Sequence, residues 1–217
     1  MTVETNRLVG QPRGGLPLLS GAILAAFVIW YFLFAVAGTP FWVVIAAATF
    51  VLGGGTLIVY RDTLNGARRT WTAFAILGVV SAVLLYGIFA IGNEAVRAIL
   101  ATGAQQVENV YATKAQAQPM LIGLLLLFII GPGEELFWRG WVQRSLMAKL
   151  GPFRGFVVTT LIYIAIHIPA MNLTLVGASA VAGAFWGWMY LRYNHIGPGL
   201  VSHALWDVSV FILFPFQ

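Results

Sequence analysis

Residues 124–141 read LLLLFIIGPGEELFWRGW, an apolar run that meets two adjacent carboxylates and an arginine, Glu134, Glu135 and Arg139. The apolar part, 117–131, is 15 residues long, short of the roughly 20 that a membrane-spanning helix needs. A full span therefore requires the helix to run on through EELFWRGWV and carry three ionisable side chains into the bilayer. The competing reading starts a new helix at GPGEEL. There the two acids occupy the first turn, where the macrodipole favours negative charge, and Glu135 and Arg139 form an ordinary i,i+4 surface pair. On that reading 134–149 is an amphipathic helix at the cytoplasmic surface.

The surrounding sequence favours the buried reading. Hydrophobic residues make up 60% of the 217 positions and charged ones only 9%, against about 25% charged in a soluble domain. Runs of spanning length fall near 17–38, 41–60, 70–92, 117–149 (long and interrupted), 153–169, 173–192 and 197–216. The segment 94–116 has looser helical spacing and reads as an interface helix or a partly buried eighth one. The expected fold is an all-α polytopic transmembrane helix bundle of seven to eight helices. It forms a single integral membrane domain over 1–217, with its chemistry in a core at about 117–216, between the C-terminal helices.

Arg7 and Arg13 ahead of the first apolar run, with Ala35 and Ala37 in a small-x-small pattern, raise the possibility of a cleaved signal peptide. The run is long enough to span and further spans follow at once, so it reads as a retained helix. Alternating the spans with the N-terminus in the cytoplasm puts Arg7, Arg13, Arg61, Arg68, Arg69, Arg144, Lys149, Arg154 and Arg192 inside and only Arg97 and Lys114 outside. By the positive-inside rule this favours that orientation, and the expected location is the plasma membrane. The scattered cations suit lipid headgroups and lack the aromatic-interleaved patch of a nucleic-acid surface. With no cysteine, disulfides and thiolate chemistry are excluded. LGGGT at 52–56 and Gly183-x-x-x-Gly187 point to close helix packing.

Ionisable groups within a bilayer are costly and rare. The first three spans have none; the last four carry Glu134, Glu135, Arg139, His167, His203 and Asp207. Glu134 lies 17 residues before the turn at Gly151 and His167 lies 16 after it, so a hairpin brings both to one level, about 25 Å along each helix. His203 and Asp207, like Glu135 and Arg139, share a helical face. Each has a bland alternative: His167 capping a helix end before Pro169, His203 and Asp207 fastening the last helix. None of these explains why all the costly groups collect in one half.

EELFWR (134–139), YIAIH (163–167) and HALWD (203–207) stand in order on successive spans. The chain here resembles the CAAX prenyl protease and bacteriocin-processing family (Abi, Rce1-like) of intramembrane endopeptidases. That family's signature is Glu-Glu-x-x-x-Arg, aromatic-x-x-x-His and His-x-x-x-Asn or Asp, and the resemblance covers about 120–210. Tyr163 replaces the frequent Phe, a change expected to matter little, and Asp207 stands where prenyl-processing members usually carry Asn. The resemblance implies that Glu134 with His167 activates water, that Glu135 with Arg139 holds the geometry, and that His203 and Asp207 serve the oxyanion.

Peptide hydrolysis needs a base for water, a donor for the leaving nitrogen and donors for the oxyanion, and a buried carboxylate beside a histidine supplies the first two. An ionised Asp207 cannot donate to an oxyanion, so it is either protonated or orients His203. The resemblance leans to a mechanism without cofactor, although zinc held by Glu134, His167 and His203 is chemically allowed. Ser179 with His203 as base is a weaker alternative that leaves the Glu-Glu-Arg motif without a role. The expected function is an intramembrane endopeptidase acting near the cytoplasmic side on a membrane-associated or lipidated protein or peptide. An ion- or proton-coupled transporter, or a non-catalytic partner with the same fold, are the alternatives; the absence of an internal repeat speaks against a transporter. Neither the substrate nor the oligomeric state is encoded legibly.

Overall fold

The structure, a computed structural model, describes residues 15–65 and 68–216. Arg7 and Arg13 lie outside the described residues. Eight helices, and no strand, occur among the described residues: α1 Gly15–Ala35, α2 Phe41–Val59, α3 Arg68–Ile99, α4 Gly103–Tyr111, α5 Pro119–Leu150, α6 Pro152–Ala165, α7 Leu173–Tyr193 and α8 Gly197–Leu213. Six of them are long and apolar enough to cross a membrane. The seventh expected span, α8, is shorter, and the eighth helix is α4. The protein is an all-α polytopic membrane bundle.

Local chemistry sets the boundaries. Pro119, Pro152 and Pro198 sit in the first turns of α5, α6 and α8, where a missing N–H costs nothing. Gly151 turns the chain between α5 and α6 at φ +85, a conformation that glycine adopts without strain. The Asn172 side chain accepts from the Leu175 N–H at 2.9 Å to cap α7, and Asn194 ends it in the left-handed region.

The exterior is apolar: Val43, Phe50, Ile58, Ile76, Val83, Ile91, Phe128 and Leu161 are exposed, as lipid-facing positions should be. The interior holds the polar groups. Glu134, Glu135 and Arg139 are 8%, 0% and 2% exposed, which rules out the surface-helix reading of 134–149. Nor do the Gly-Pro-Gly residues break the helix. α5 stays helical from 119 to 150, widening to π geometry over Leu126–Ile130 and again over Leu136–Gln143. In the first wide stretch the Gly131 N–H reaches back five residues to the Leu126 carbonyl, just ahead of Pro132, which has no N–H to give.

Glycines allow the close approaches that position α5. A Cβ on Gly133 would lie 2.6 Å from the Thr49 carbonyl oxygen, and one on Gly53 would lie 2.8 Å from the Gly133 Cα; α2 and α5 meet backbone to backbone. A Cβ on Gly131 would lie 3.1 Å from the Ala204 backbone of α8. In α7, Gly183 backs onto the Tyr163 ring and Gly187 onto Phe156, as the small-residue spacing suggests. Arg144, counted from sequence as a topology signal, is buried. It donates to Asp62 Oδ2 at 2.8 Å and lies 4.1 Å over the Tyr60 ring, tying the α2–α3 loop to α5. That hydrogen bond holds the Asp62 carboxyl below its ordinary value.

Candidate active site

All six sequence-derived site residues are buried, and they come together from α5, the α6–α7 turn and α8. Glu135 is the hub. Its Oε1 accepts from Arg139 Nη1 and from His203 Nδ1, each at 2.9 Å. The bridge joins the Glu-Glu-Arg motif to the last one, whereas sequence spacing pairs Glu135 with Arg139 alone. Gly199, on α8, makes room for it: a Cβ there would lie 2.5 Å from Glu135 Oε2. Arg139 also donates from Nη2 to the Gly183 carbonyl at 3.1 Å, and Gln143 one turn on donates to the Gly187 carbonyl at 2.8 Å. The two glycines that allow α7 to approach thus also supply acceptors for α5.

His203 stacks on Trp186 with ring centroids 3.7 Å apart and planes 16° from parallel, a contact worth about 0.5–1.5 kcal/mol beyond its buried area. Trp186 is itself fixed by a hydrogen bond from its Nε1 to Ser202 Oγ at 3.1 Å. Since Nδ1 of His203 gives its hydrogen to Glu135, Nε2 is the ring's free end, and Asp207 Oδ2 lies 3.6 Å from it. This is the shared face expected from their spacing.

Glu134 is held by a residue that sequence reasoning set aside. The Tyr163 hydroxyl donates to Glu134 Oε2 at 2.9 Å, and the Tyr163 carbonyl accepts from His167 Nδ1 at 2.7 Å. A carbonyl can only accept, so His167 carries its hydrogen on Nδ1 and Nε2 is left as an acceptor. Phe at 163 could not make the first of these contacts. The hydroxyl was the available signal, because a buried Tyr O–H needs a partner.

Tyr163, His167, His203 and Asp207 line a cavity of about 440 Å³; Glu134, Glu135 and Arg139 stand behind that wall. The cavity is otherwise aromatic and apolar, with Phe34, Phe41, Phe89, Trp206 and Phe211 on its sides. α4 covers one side of it. Asn172 donates to the Gln106 carbonyl at 2.8 Å, Gln106 Oε1 accepts from the Thr174 N–H at 2.9 Å, and Tyr111 donates to the Val210 carbonyl at 2.9 Å. Ser179 also lines the cavity, with its hydroxyl donated to the Val176 carbonyl at 2.8 Å. Among the described residues no group of three His, Asp or Glu side chains is placed to hold a metal ion.

Residues 116–209 match the family model described as Type II CAAX prenyl endopeptidase Rce1-like. The motif-bearing segment of this chain is similar to that family. No curated protein and no solved structure matches the chain. The Rce1-like segment begins just ahead of α5 and ends two residues after Asp207, so it contains all six site residues and Tyr163. It leaves out α1 to α4, which supply the Gly53 contact and one wall of the cavity. The family is one of CAAX-type membrane proteases.

Proposed function

We propose that this protein is an intramembrane endopeptidase in which Glu134 and His167 activate the attacking water. The observation that carries the reading is the Tyr163 bridge: its hydroxyl fixes Glu134 and its carbonyl fixes the His167 tautomer, leaving His167 Nε2 free to accept a proton at the cavity wall. In the reaction, water gives a proton to this pair while its oxygen bonds to the scissile carbonyl carbon. The resulting oxyanion takes hydrogen bonds from the His203 side, with Glu135 and Arg139 holding that ring in place. The captured proton then passes to the amide nitrogen, the C–N bond breaks, and a carboxylate and an amine leave. Asp207, beside Nε2, orients the His203 ring and supports its protonated form.

The proposed location is the plasma membrane with the N-terminus in the cytoplasm, supported by the nine-to-two distribution of Lys and Arg. The test compares the new protein N-termini in membranes that contain the wild-type protein, Glu134→Ala or His167→Ala. Products present with the wild type and lost in both variants, with insertion unchanged, are the expected result. Products retained in both would sink the proposal. Chelator-resistant cleavage, with no zinc by elemental analysis, is expected of the same preparation.

A further inference from the structure

The cavity is lined by segments from one end of the bundle, and that end is not the one the sequence suggests for cleavage. Its walls and rim come from the end of α1 (Leu33, Phe34), the start of α2 (Phe41), α4 with the turn after it, the α6–α7 turn (His167 to Asn172) and the chain after α8 (Phe216). Asn109 and Met171 on this rim are exposed. Because successive helices alternate in direction, these segments all lie at the same end. Arg97 and Lys114 are the Lys and Arg residues there. The opposite end carries Arg61, Arg68, Arg69, Arg144, Lys149, Arg154 and Arg192, seven against two. Among the described residues its acidic partner is Asp62 alone, whereas Glu94 and Glu108 balance the cavity end.

The positive-inside rule places the cation-rich end in the cytoplasm. We infer that the active-site cavity opens to the extracytoplasmic side, and that its substrate is an exported or membrane-anchored polypeptide entering from that face as an uncharged, apolar segment. The lining agrees on the side chains admitted. Apart from His167, His203 and Asp207 it has no ionisable group but Tyr hydroxyls, and its other polar residues include the amides Gln106, Asn109 and Asn172. Away from the site's own His and Asp side chains, a charged segment would find no counterion there. A lipidated C-terminal tail made and held in the cytoplasm faces the wrong end of this bundle.

The inference rests on the endopeptidase reading for its substrate but not for its orientation, and the two are tested separately. The chain has no cysteine, so single cysteines report accessibility without background. Asn109→Cys and Met171→Cys, both at exposed rim positions, are expected to react with a membrane-impermeant maleimide added to intact cells. Arg154→Cys, exposed at the other end, is expected to react only after permeabilisation. The reverse pattern overturns the orientation. For the substrate, products dependent on Glu134 are expected to have their new ends in extracytoplasmic or membrane-embedded segments; new ends in cytoplasmic segments overturn the assignment. Correct labelling with no Glu134-dependent product would refute the endopeptidase reading and leave the orientation standing.

Discussion

Replacing Gly199 by alanine tests whether Glu135 is the hub of the site, at a position outside all three motifs. The new Cβ would lie 2.5 Å from Glu135 Oε2, while carbon and oxygen in contact sit at about 3.3 Å or more. The carboxylate must therefore retreat by about 0.8 Å. A flexible, solvated glutamate would do this at little cost, but Glu135 is fully buried and its Oε1 is tied at 2.9 Å to both Arg139 and His203. Withdrawal breaks or stretches at least one of these charge-assisted hydrogen bonds, each worth about 1.5–3 kcal/mol. If that loss falls on the transition state, at about 1.36 kcal/mol per factor of ten, kcat/KM drops roughly 10- to 100-fold. The assay is turnover in liposomes of a substrate identified from Glu134-dependent products, alongside thermal unfolding in detergent. Gly54→Ala is the control, since a Cβ there meets nothing within 4 Å, and should leave both readings unchanged. A folded Gly199→Ala protein with activity within twofold of wild type would refute the reasoning.

Tyr163→Phe removes the hydrogen bond to Glu134 while keeping the ring. We expect turnover to fall about tenfold, as for loss of a hydrogen bond to a charged group, with Tm shifted only slightly; undiminished turnover would make Tyr163 a packing residue. Gly133→Ala forces a methyl group onto the Thr49 backbone, and overpacking of this kind costs about 1–3 kcal/mol, so a clear drop in detergent Tm is expected. Asp62→Asn loosens the loop held by Arg144. Its folded carboxyl lies below the ordinary value, so the pair stabilises at and above neutral pH and fades as pH falls past 3.8. For a half-exposed carboxylate the effect is under about 1 kcal/mol, and the Tm difference from wild type should close in acid.

Much of the site was legible because its residues are expensive. A bilayer tolerates few ionisable groups, so Glu134, Glu135, Arg139, His167, His203 and Asp207 stand out in an apolar sequence, and helical spacing places His203 with Asp207. Counting from Gly151 sets Glu134 level with His167, whereas the residue that touches Glu134 is Tyr163, four residues earlier on α6. Contacts between helices were not legible. Nothing in the spacing of Glu135 reveals that His203, 68 residues later, competes for the same oxygen as Arg139. The role of Tyr163 was missed because an aromatic ring accounts for the position without its hydroxyl. The glycines that set the distances between α2, α5 and α8 resemble any small residues in membrane helices until the backbones they separate are in place. The segment 94–116 divided between the end of α3 and the separate helix α4, which is held by hydrogen bonds from side chains too common to single out.

The contact of Gly53 with Gly133 sets a limit on how such proteins can be recombined. The Rce1-like segment supplies every ionisable residue of the site, yet the carboxylate helix rests on α2 at Gly53 and Thr49, backbone against backbone, with no flexible side chain end to give way. A different N-terminal half grafted onto residues 116–209 would keep α5 at its present depth only if it offered a residue without a side chain at the same crossing. The two halves are thus fitted to each other by a missing atom on each side, and a side chain added at either position is expected to push the helices apart.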